Sequence, residues 1–362
     1  MLPSPLDQAD LRCRVQACID AELAHQREVL AEIGPDVDDL LEAIGRLLTG
    51  GKRLRAAFLY WGYRAAGCPD SDAAVRLATS MEFFQGAALI HDDVMDDSDT
   101  RRGMPAAHRA LATRHAGRGW VGDAQRFGMA GAILAGNLCL NWTEELYATS
   151  GLPAAHLARA RGLFDRMRTQ LMAGQFLDVV ESVRPWDDVD PAERVARASR
   201  VIRYKSAKYT IEHPLLIGAC AGGLAGEVLS ELSSYGLDLG HAFQLRDDVL
   251  GVFGDPAMTG KPAGDDLREG KRTVLVAHTL TGASRSARGR VESLLGRADL
   301  GPEQVADLRS IMTESGAVDA VEAEIERLAC AARAALGRAV GIDASAREVL
   351  DALVDISTAR TA

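Results

Sequence analysis

The chain has 362 residues, of which 47% are apolar and 25% are charged, a composition typical of globular proteins with a sizeable buried core. Its net charge of −10 argues against the broad basic surface of a nucleic-acid-binding protein. The N-terminus lacks the apolar region of a secretory signal, and no apolar stretch has the length of a bilayer span. We therefore expect a cytoplasmic protein without a nucleic-acid partner or stable membrane insertion.

Helical periodicity dominates the chain, because apolar residues recur at spacings of three and four and alternating β-branched runs are nearly absent. Pro and Gly separate segments of helical length, and no change in composition marks a linker. These features predict an all-α fold: a single domain, residues 1–362, built as a bundle of ten or more helices. Helices at about 1–35 and about 280–362 are expected at its periphery. The Gly-rich segment 218–223 is expected to allow close contact between helices.

The first basic cluster is Gly-Gly-Lys-Arg-Leu-Arg at residues 50–55, which is expected to open an early helix. On that helix, Lys52 and Arg55 would lie three residues apart on one face. The free amides of the Gly-Gly entry would also suit a phosphate group. Taken alone, each of these charges is equally consistent with an ordinary solvated surface.

The first acidic cluster is Asp-Asp-Val-Met-Asp-Asp at residues 92–97, and it continues an apolar helix that starts near Ala73. Asp92 and Asp96 are one turn apart and share a helix face, where their charges repel. Full solvation relieves that repulsion, and so does a bridging cation such as Mg²⁺, which prefers carboxylate oxygens. By itself, the cluster favours a solvated helix end.

A second acidic cluster, Gln-Leu-Arg-Asp-Asp at residues 244–248, again ends an apolar helical run. Both clusters place acids toward the C-terminal end of a helix, which opposes the helix dipole and costs stability unless cations offset it. A repeated feature that is locally unfavourable indicates function. The two clusters together therefore predict a Mg²⁺ site.

Basic residues accompany both clusters along the sequence. They are Arg101 and Arg102 after the first cluster, Lys205 and Lys208 around a Ser-Ala pair, and Lys261 after the second cluster. Arg presents a planar fork to paired oxygens and Lys a point charge, whereas carboxylates reach phosphate through a metal. The combination predicts a clamp for a diphosphate.

These motifs, in this order, resemble those of the trans-type isoprenyl diphosphate synthases, the family of farnesyl and geranylgeranyl diphosphate synthases. The resemblance covers about residues 50–276. It is carried by GGKRLR at 50–55, DDVMDDSDTRRG at 92–103, GQFLD at 174–178, YKSAKYT at 204–210 and QLRDDVLGVFGDPAMTGKPAGDDLREGKRT at 244–273. It implies the isoprenoid synthase type of helical bundle around a central cavity, a homodimer, and Mg²⁺-dependent condensation of isopentenyl diphosphate with an allylic diphosphate.

The resemblance also implies a metal site formed by both aspartate motifs. Its residues are Asp92, Asp93, Asp96, Asp247 and Asp248. Of these, Asp92, Asp96 and Asp247 correspond to direct Mg²⁺ ligands. Asp248 and Asp265 would support metal-bound water. About three Mg²⁺ are expected, because two diphosphates bring about six negative charges to a site already lined by acids.

Substrate roles follow from the same resemblance. Arg101 corresponds to the residue that grips the allylic diphosphate, with help from Lys205 and Lys261. The isopentenyl diphosphate site, which holds no metal in this family, corresponds to Lys52, Arg55, Gln85 and Arg102. Polar groups near the reacting carbons correspond to Gln244, Ser206, Gln175 and Asp178. We expect catalytic contributions from Lys205, Gln244 and Asp178. The released pyrophosphate is the expected base, so no side chain is assigned that role.

Three positions depart from the family pattern. Gly251 stands where the second motif usually has a third aspartate. The usual Lys-Thr pair is Lys205-Ser206, which keeps the hydroxyl group. Asn137 occupies a position where many relatives have Asp, and the sequence offers no reason for it.

Product length is expected to depend on the helix face that precedes Asp92. Relatives that stop at fifteen carbons carry an aromatic side chain four or five residues before the first aspartate, where this chain has Ala88 and Ala87. Phe84 follows one turn deeper, about 6 Å along the helix at about 1.5 Å per residue. The pattern therefore predicts geranylgeranyl diphosphate, with farnesyl and geranylfarnesyl diphosphate as alternatives.

Two other classes of protein share part of this pattern. A class I terpene cyclase has the first aspartate motif and uses an Asn/Ser/Glu triad as its second, for which Asn137, Asn141 and Glu145 are the nearest match without the Ser. A non-catalytic partner subunit of a heteromeric synthase usually loses one aspartate motif. Both motifs are present here, which favours the synthase.

Overall fold

The computed structural model describes residues 4–186, 188–255 and 264–359. Lys261, one of the predicted diphosphate ligands, lies outside the described residues. The α-helices are α1 (Leu11–Leu30), α2 (Asp38–Leu48), α3 (Leu54–Ala65), α4 (Asp72–Met95), α5 (Ala107–Gly117), α6 (Ala124–Ala148), α7 (Ala154–Val183), α8 (Pro191–Val201), α9 (His213–Gly222), α10 (Glu227–Phe253), α11 (Asp265–Arg268), α12 (Val274–Gly282), α13 (Arg285–Leu294), α14 (Pro302–Glu314), α15 (Ala317–Arg338) and α16 (Ala344–Thr358). The predicted all-α fold is confirmed.

Shorter elements complete the described chain. Two 3₁₀ helices cover Pro5–Asp10 and Pro35–Val37, and an eleven-residue π-helix covers Ile202–Glu212. A small antiparallel hairpin joins β1 (Thr100–Arg101) to β2 (Met104–Pro105), with Thr100 opposite Pro105 and Arg101 opposite Met104. In the part of the chain that the structure covers, no helix combines the length and apolar character needed to cross a membrane.

The long helix α4 reaches from the core to the site without a break. Its start is fixed by the Ser71 hydroxyl, which accepts a hydrogen bond from the Ala74 N–H at 3.2 Å. Its centre is buried around Phe83 and Phe84. The helix ends at Met95, and the N–H of the next residue, Asp96, still donates to the Asp92 carbonyl. The predicted helix face that carries Asp92 and Asp96 is therefore present.

Close contact between α3 and α9 depends on glycine in both helices. A Cβ atom at Gly218 would lie 1.9 Å from the Leu59 carbonyl oxygen, and one at Gly62 would lie 2.2 Å from the Leu215 carbonyl oxygen. Neither backbone can accept a side chain at these positions. The Gly-rich segment 218–223 thus allows the contact that its composition predicted.

The C-terminal helices are not peripheral, which corrects the expectation for residues after about 280. Leu350 and Val354 of α16 are fully buried in the main apolar core. The buried Tyr235 hydroxyl of α10 donates to the Leu350 carbonyl at 2.7 Å, since a buried phenol requires an acceptor. The N-terminal helix α1 is likewise anchored, through the fully buried Ile19. These segments complete the core because they cover apolar faces of the central helices.

Candidate active site

A cavity of about 450 Å³ lies among α3, α4, the π-helix, α10 and α11, with the β-hairpin at its edge. The predicted site residues that line it are Arg55, Gln85, Asp92, Arg101, Arg102, Asp178, Lys205, Ser206, Gln244, Asp247, Asp248 and Asp265. Helices distant in the sequence thus bring both acidic clusters and most of the basic residues to one cavity.

Asp92 and Asp96 form the α4 side of the site and differ in their electrostatic surroundings. Burial disfavours the ionised form of Asp92, but the charges of Lys205, Lys271 and Arg101 outweigh it and lower its pKa to about 2. Burial, together with the Asp92 charge, raises the pKa of Asp96 to about 6. Asp96 Oδ2 is buried and accepts no hydrogen bond from the described residues; Lys271 Nζ lies 3.8 Å away. An oxygen so placed fits a metal cation.

Asp93 has a different environment from the one predicted. It is buried and does not line the cavity, and its Oδ1 accepts a hydrogen bond from Arg101 Nε at 2.9 Å and a second from Arg101 Nη2. Successive helical residues point about 100° apart, so Asp93 cannot share the face of Asp92. The structure therefore assigns Asp93 to orienting Arg101, whose guanidinium faces the cavity.

Gln244 links the α10 aspartates to the π-helix. Its Nε2 donates to Asp248 Oδ1 at 2.8 Å and to Asp247 Oδ2 at 3.4 Å, while its Oε1 accepts a hydrogen bond from the Ser206 hydroxyl. Ser206 thereby orients the Gln244 amide so that its NH₂ group faces the acids. Burial raises the pKa of Asp248 to about 8, and a nearby cation would favour the ionised form of this carboxyl group.

Two lysines lie next to the acidic residues and offset part of their negative charge. Lys205 Nζ is 3.1 Å from Asp92 Oδ1 and 2.5 Å from Asp178 Oδ2. Burial opposes the charge of Lys205, but Asp92 and Asp178 more than compensate and raise its pKa. Lys271 Nζ lies 2.5 Å from Glu269 Oε2 and 3.4 Å from Asp266 Oδ1. Sequence reasoning did not single out Lys271, although it belongs to the last matched motif.

A basic region on the α3 side is organised by Tyr209. Arg55 Nη2 donates to the Tyr209 hydroxyl oxygen at 2.6 Å and to Thr210 Oγ1 at 2.8 Å, and the guanidinium lies 4.3 Å from the Tyr209 ring centroid. The Tyr209 hydroxyl in turn donates to Gln85 Oε1. Tyr209 was not predicted as a site residue, although it lies in the matched YKSAKYT motif. Its ring and hydroxyl fix Arg55 and Gln85 relative to each other.

Arg102 adds a second charge to this region. Its Nη1 donates to the Leu47 carbonyl at 2.8 Å. Burial and the neighbouring charges of Arg53, Arg101 and Arg55 lower its pKa. Among the described residues, neither Arg55 nor Arg102 forms an ion pair with a carboxylate. Two guanidinium groups without carboxylate partners in one cavity are suited to an anion.

Lys52 does not share a helix face with Arg55, because α3 begins only at Leu54. Arg53 adopts a left-handed conformation with φ of 56°, which turns the chain before the helix. Lys52 is exposed and does not line the cavity. The sequence pattern placed Lys52 within the helix, two residues before the observed start at Leu54, because the pattern does not reveal the left-handed turn at Arg53.

The π-helix brings Lys205, Ser206 and Tyr209 to the cavity together. Neighbouring glycines allow it to lie this close: a Cβ at Gly174 of α7 would be 2.5 Å from the Tyr204 carbonyl carbon, and one at Gly240 of α10 would be 2.7 Å from Ala207 Cα. π-Helical turns are rare and occur often at functional sites. Helical periodicity in a sequence does not distinguish them from α-helix.

The residues predicted to limit product length lie beside the cavity rather than on its lining. Phe84 and Ala87 are buried in the core, and Ala88 is half-buried. The Phe84 ring centroid is 6.2 Å from that of Tyr209. The apolar part of the lining includes Leu89 and Phe243.

The described residues contain no preformed group of three or more His, Cys, Asp or Glu side chains that would hold a metal ion. This agrees with Mg²⁺ chemistry, because Mg²⁺ usually takes one or two carboxylates and completes its shell with water and substrate phosphate. Hard carboxylate oxygens on two sides of one cavity, and the free Asp96 oxygen, fit that mode of binding.

Comparison with known proteins agrees with this geometry. Residues 37–313 match the polyprenyl synthetase family. A geranylfarnesyl diphosphate synthase from Aeropyrum pernix is 33% identical over 84% of this chain and 89% of its own. A geranylgeranyl diphosphate synthase from Saccharolobus solfataricus is 32% identical over 74% of each chain. A geranylgeranyl pyrophosphate synthase structure from Corynebacterium glutamicum, complexed with isoprenyl diphosphate and magnesium, has a TM-score of 0.90 and 40% identity over 96% of this chain and 97% of that one.

The fold and the site define a helical enzyme with paired acidic and basic regions suited to diphosphates. The chain belongs to the polyprenyl synthetase family and is a prenyltransferase. The expected family resemblance is thereby confirmed. The cyclase alternative is wrong: Asn137, Asn141 and Glu145 lie on α6 and do not line the cavity.

The adjacent residues Arg53 and Arg55 are predicted to differ in their effect on stability. Arg53 Nη1 pairs with Glu82 Oε2 at 3.1 Å, and both side chains are almost fully buried. Arg53→Met leaves the Glu82 charge buried and unpaired, so urea unfolding followed by circular dichroism should show a loss of about 3–5 kcal/mol. Arg55→Met, which strands no carboxylate, should change stability by less than about 1 kcal/mol. Equal losses in the two variants would contradict this distinction.

Proposed function

We propose that the enzyme condenses isopentenyl diphosphate with allylic diphosphates in the presence of Mg²⁺ and releases geranylgeranyl diphosphate. The observation that carries the proposal is one cavity that combines an acidic region with a chemically different basic region. One side of the cavity is lined by Asp92, Asp247, Arg101 and Lys205, and Asp96 lies behind this lining, 3.8 Å from Lys271 Nζ. The other side is lined by Arg55, Gln85 and Arg102, and its two guanidinium groups form no ion pair with a carboxylate of the described residues. The relatives named geranylgeranyl and geranylfarnesyl diphosphate synthases support this assignment.

In this proposal the acidic side holds the allylic substrate. Asp92, Asp96 and Asp247 would hold Mg²⁺, with Asp248 and Asp265 near metal-bound water. About three bound ions would neutralise the departing pyrophosphate. Arg101, fixed by Asp93, presents its guanidinium to phosphate oxygens, and Lys205 adds a point charge. Outside the described residues, Lys261 is proposed to assist them.

The basic side holds isopentenyl diphosphate without metal. Arg55 and Arg102 bind the anion, while Gln85, held by Tyr209, orients it. Lys52, which is exposed and outside the cavity lining, is proposed to contribute charge from solvent. The allylic carbon–oxygen bond breaks, the isopentenyl double bond attacks the cation, and the released pyrophosphate takes the proton. Gln244, Ser206, Gln175 and Asp178 place polar groups near the reacting carbons. Water exclusion by the apolar lining protects the cation.

The aspartates are predicted to be essential for turnover by the purified chain alone. Asp92→Asn and Asp247→Asn each remove a charge from the proposed metal site, so kcat with isopentenyl diphosphate, an allylic starter and Mg²⁺ should fall by at least about 100-fold. Asp165→Asn, which changes an exposed α7 carboxylate paired with Arg161, should retain activity.

Absence of turnover by the purified wild-type chain would contradict the assignment and favour a partner subunit. Full activity of Asp92→Asn would contradict the role of the first motif.

Product length is proposed to depend on the absence of a large side chain at Ala88. Ala88→Phe adds an aromatic ring one turn before Asp92, where it should block the growing chain. Chromatography of the dephosphorylated products should show a shift from twenty to fifteen carbons. Ala88→Ser, which changes volume little, should leave the twenty-carbon product. An unchanged product from Ala88→Phe would contradict this account of chain length.

We also propose a homodimer formed through exposed apolar faces of α6 and α7. Met172, Phe176, Val179 and Val183 follow one face of α7, and Phe176 and Val183 are 68% and 79% exposed. Ile133 and Leu134 are similarly exposed on α6, and Asn137 lies one turn further on the same face. A neutral amide suits such a surface better than an aspartate, because no charge would be buried. Exposed apolar side chains grouped on helix faces are typical of protein–protein contacts.

The dimer proposal predicts a mass of twice the single chain by light scattering coupled to gel filtration. Phe176→Glu combined with Ile133→Glu would place charges in the interface and should give a monomer. Val340→Glu, at an exposed apolar residue elsewhere, should remain a dimer. A monomeric wild-type chain would contradict the proposal.

A further inference from the structure

Gly251 lies on α10 one turn after Asp247, so the two positions share a helix face. It is the position at which the second acidic motif lacks a third aspartate. The glycine is not simply an empty position, because a side chain of another element occupies the space above it. A Cβ atom at Gly251 would lie 1.9 Å from Asp266 Oδ2 and 2.7 Å from Asp266 Cγ.

Asp266 reaches this place from α11, which follows α10 in the chain. Its carboxylate lines the same cavity as Asp247 and Asp248. Asp266 Oδ1 is 3.4 Å from Lys271 Nζ, which is itself 3.8 Å from Asp96 Oδ2. The Lys271 N–H also donates to the Asp266 carbonyl at 3.1 Å. Asp266 is thus held on the α10 surface and connected through Lys271 to the α4 aspartates.

We infer that Asp266 supplies from α11 the third carboxylate that α10 lacks, and that glycine is required at position 251 to admit it. The inference rests on the proposed function, because it assigns Asp266 to the metal site on the α10 side. Asp266 is a positioning residue there: its carboxylate accepts hydrogen bonds from metal-bound water and sets the charge of this side of the cavity. Asp266 then joins Asp247 and Asp248 as a third carboxylate at the α10 surface, and its neighbour Asp265 lines the same cavity.

An alternative is that the Gly251–Asp266 contact only fastens α11 to α10. In that case the position of the carboxylate would be irrelevant, and only a filled contact would matter. The two explanations predict different results for a variant in which the carboxylate is moved from α11 to α10, so that the space between the two helices is still occupied.

The test measures binding of Mn²⁺, as a probe for Mg²⁺, by electron paramagnetic resonance in the presence of inorganic pyrophosphate and without isoprenoid substrate. Asp266→Ala and Gly251→Ala should each weaken Mn²⁺ binding about tenfold, and the double alanine variant should lose little more, because both changes remove the same group. Gly251→Asp combined with Asp266→Ala returns a carboxylate to the vacated space and should bind within about threefold of wild type. Gly289→Ala, at an exposed helical glycine without neighbours, is the matched control.

Thermal unfolding of each variant separates misfolding from loss of the carboxylate, and a crystal structure of Gly251→Ala should show Asp266 displaced. Wild-type affinity in folded Asp266→Ala, or no recovery in folded Gly251→Asp/Asp266→Ala, would overturn the inference. A wild-type protein that binds no Mn²⁺ with pyrophosphate would instead contradict the proposed metal-dependent function.

Discussion

Repulsion among carboxylates in a partly buried cavity is the constraint on which the site depends. Asp92 and Asp96 occupy the end of one helix and Asp247 and Asp248 the last part of another, where the helix dipole also disfavours negative charge. Burial raises the pKa of Asp248, and burial with a neighbouring charge raises that of Asp96. Lys205 and Lys271 offset part of this cost, and bound cations would offset the remainder.

Positive charge is distributed differently on the opposite side of the cavity. Arg53 is neutralised by Glu82 inside the core, whereas Arg55 two residues later has tyrosine and threonine hydroxyls as partners. Neutral partners orient the guanidinium without cancelling its charge. One helix start therefore combines an ion pair that stabilises the fold with a cation that remains free to attract substrate.

Much of the fold and of the acidic site could be predicted, because both leave a repeated pattern of residue types in the sequence. Helical spacing identifies α4 and α10, and the repeated aspartates identify their site. Contacts between residues of different elements could not be predicted in this way. Asp93 accepts hydrogen bonds from Arg101, and the Asp266 side chain packs against Gly251. Arg53 adopts a left-handed conformation and residues 202–212 form a π-helix. Neither departure from α-helix could be predicted, because the residue types in both places are also common in α-helices. Burial of the C-terminal helices depends on partners such as Tyr235, which no local pattern reveals.

The central claim is that the α4 and α10 aspartates act as opposing sides of one metal site. A crystal structure with Mg²⁺ and inorganic pyrophosphate tests it most directly. The account predicts Mg²⁺ between pyrophosphate oxygens and the carboxylates of Asp92 and Asp96 on one side and Asp247 on the other. Pyrophosphate bound by Arg101 and Lys205 with no metal at either pair of aspartates would contradict it.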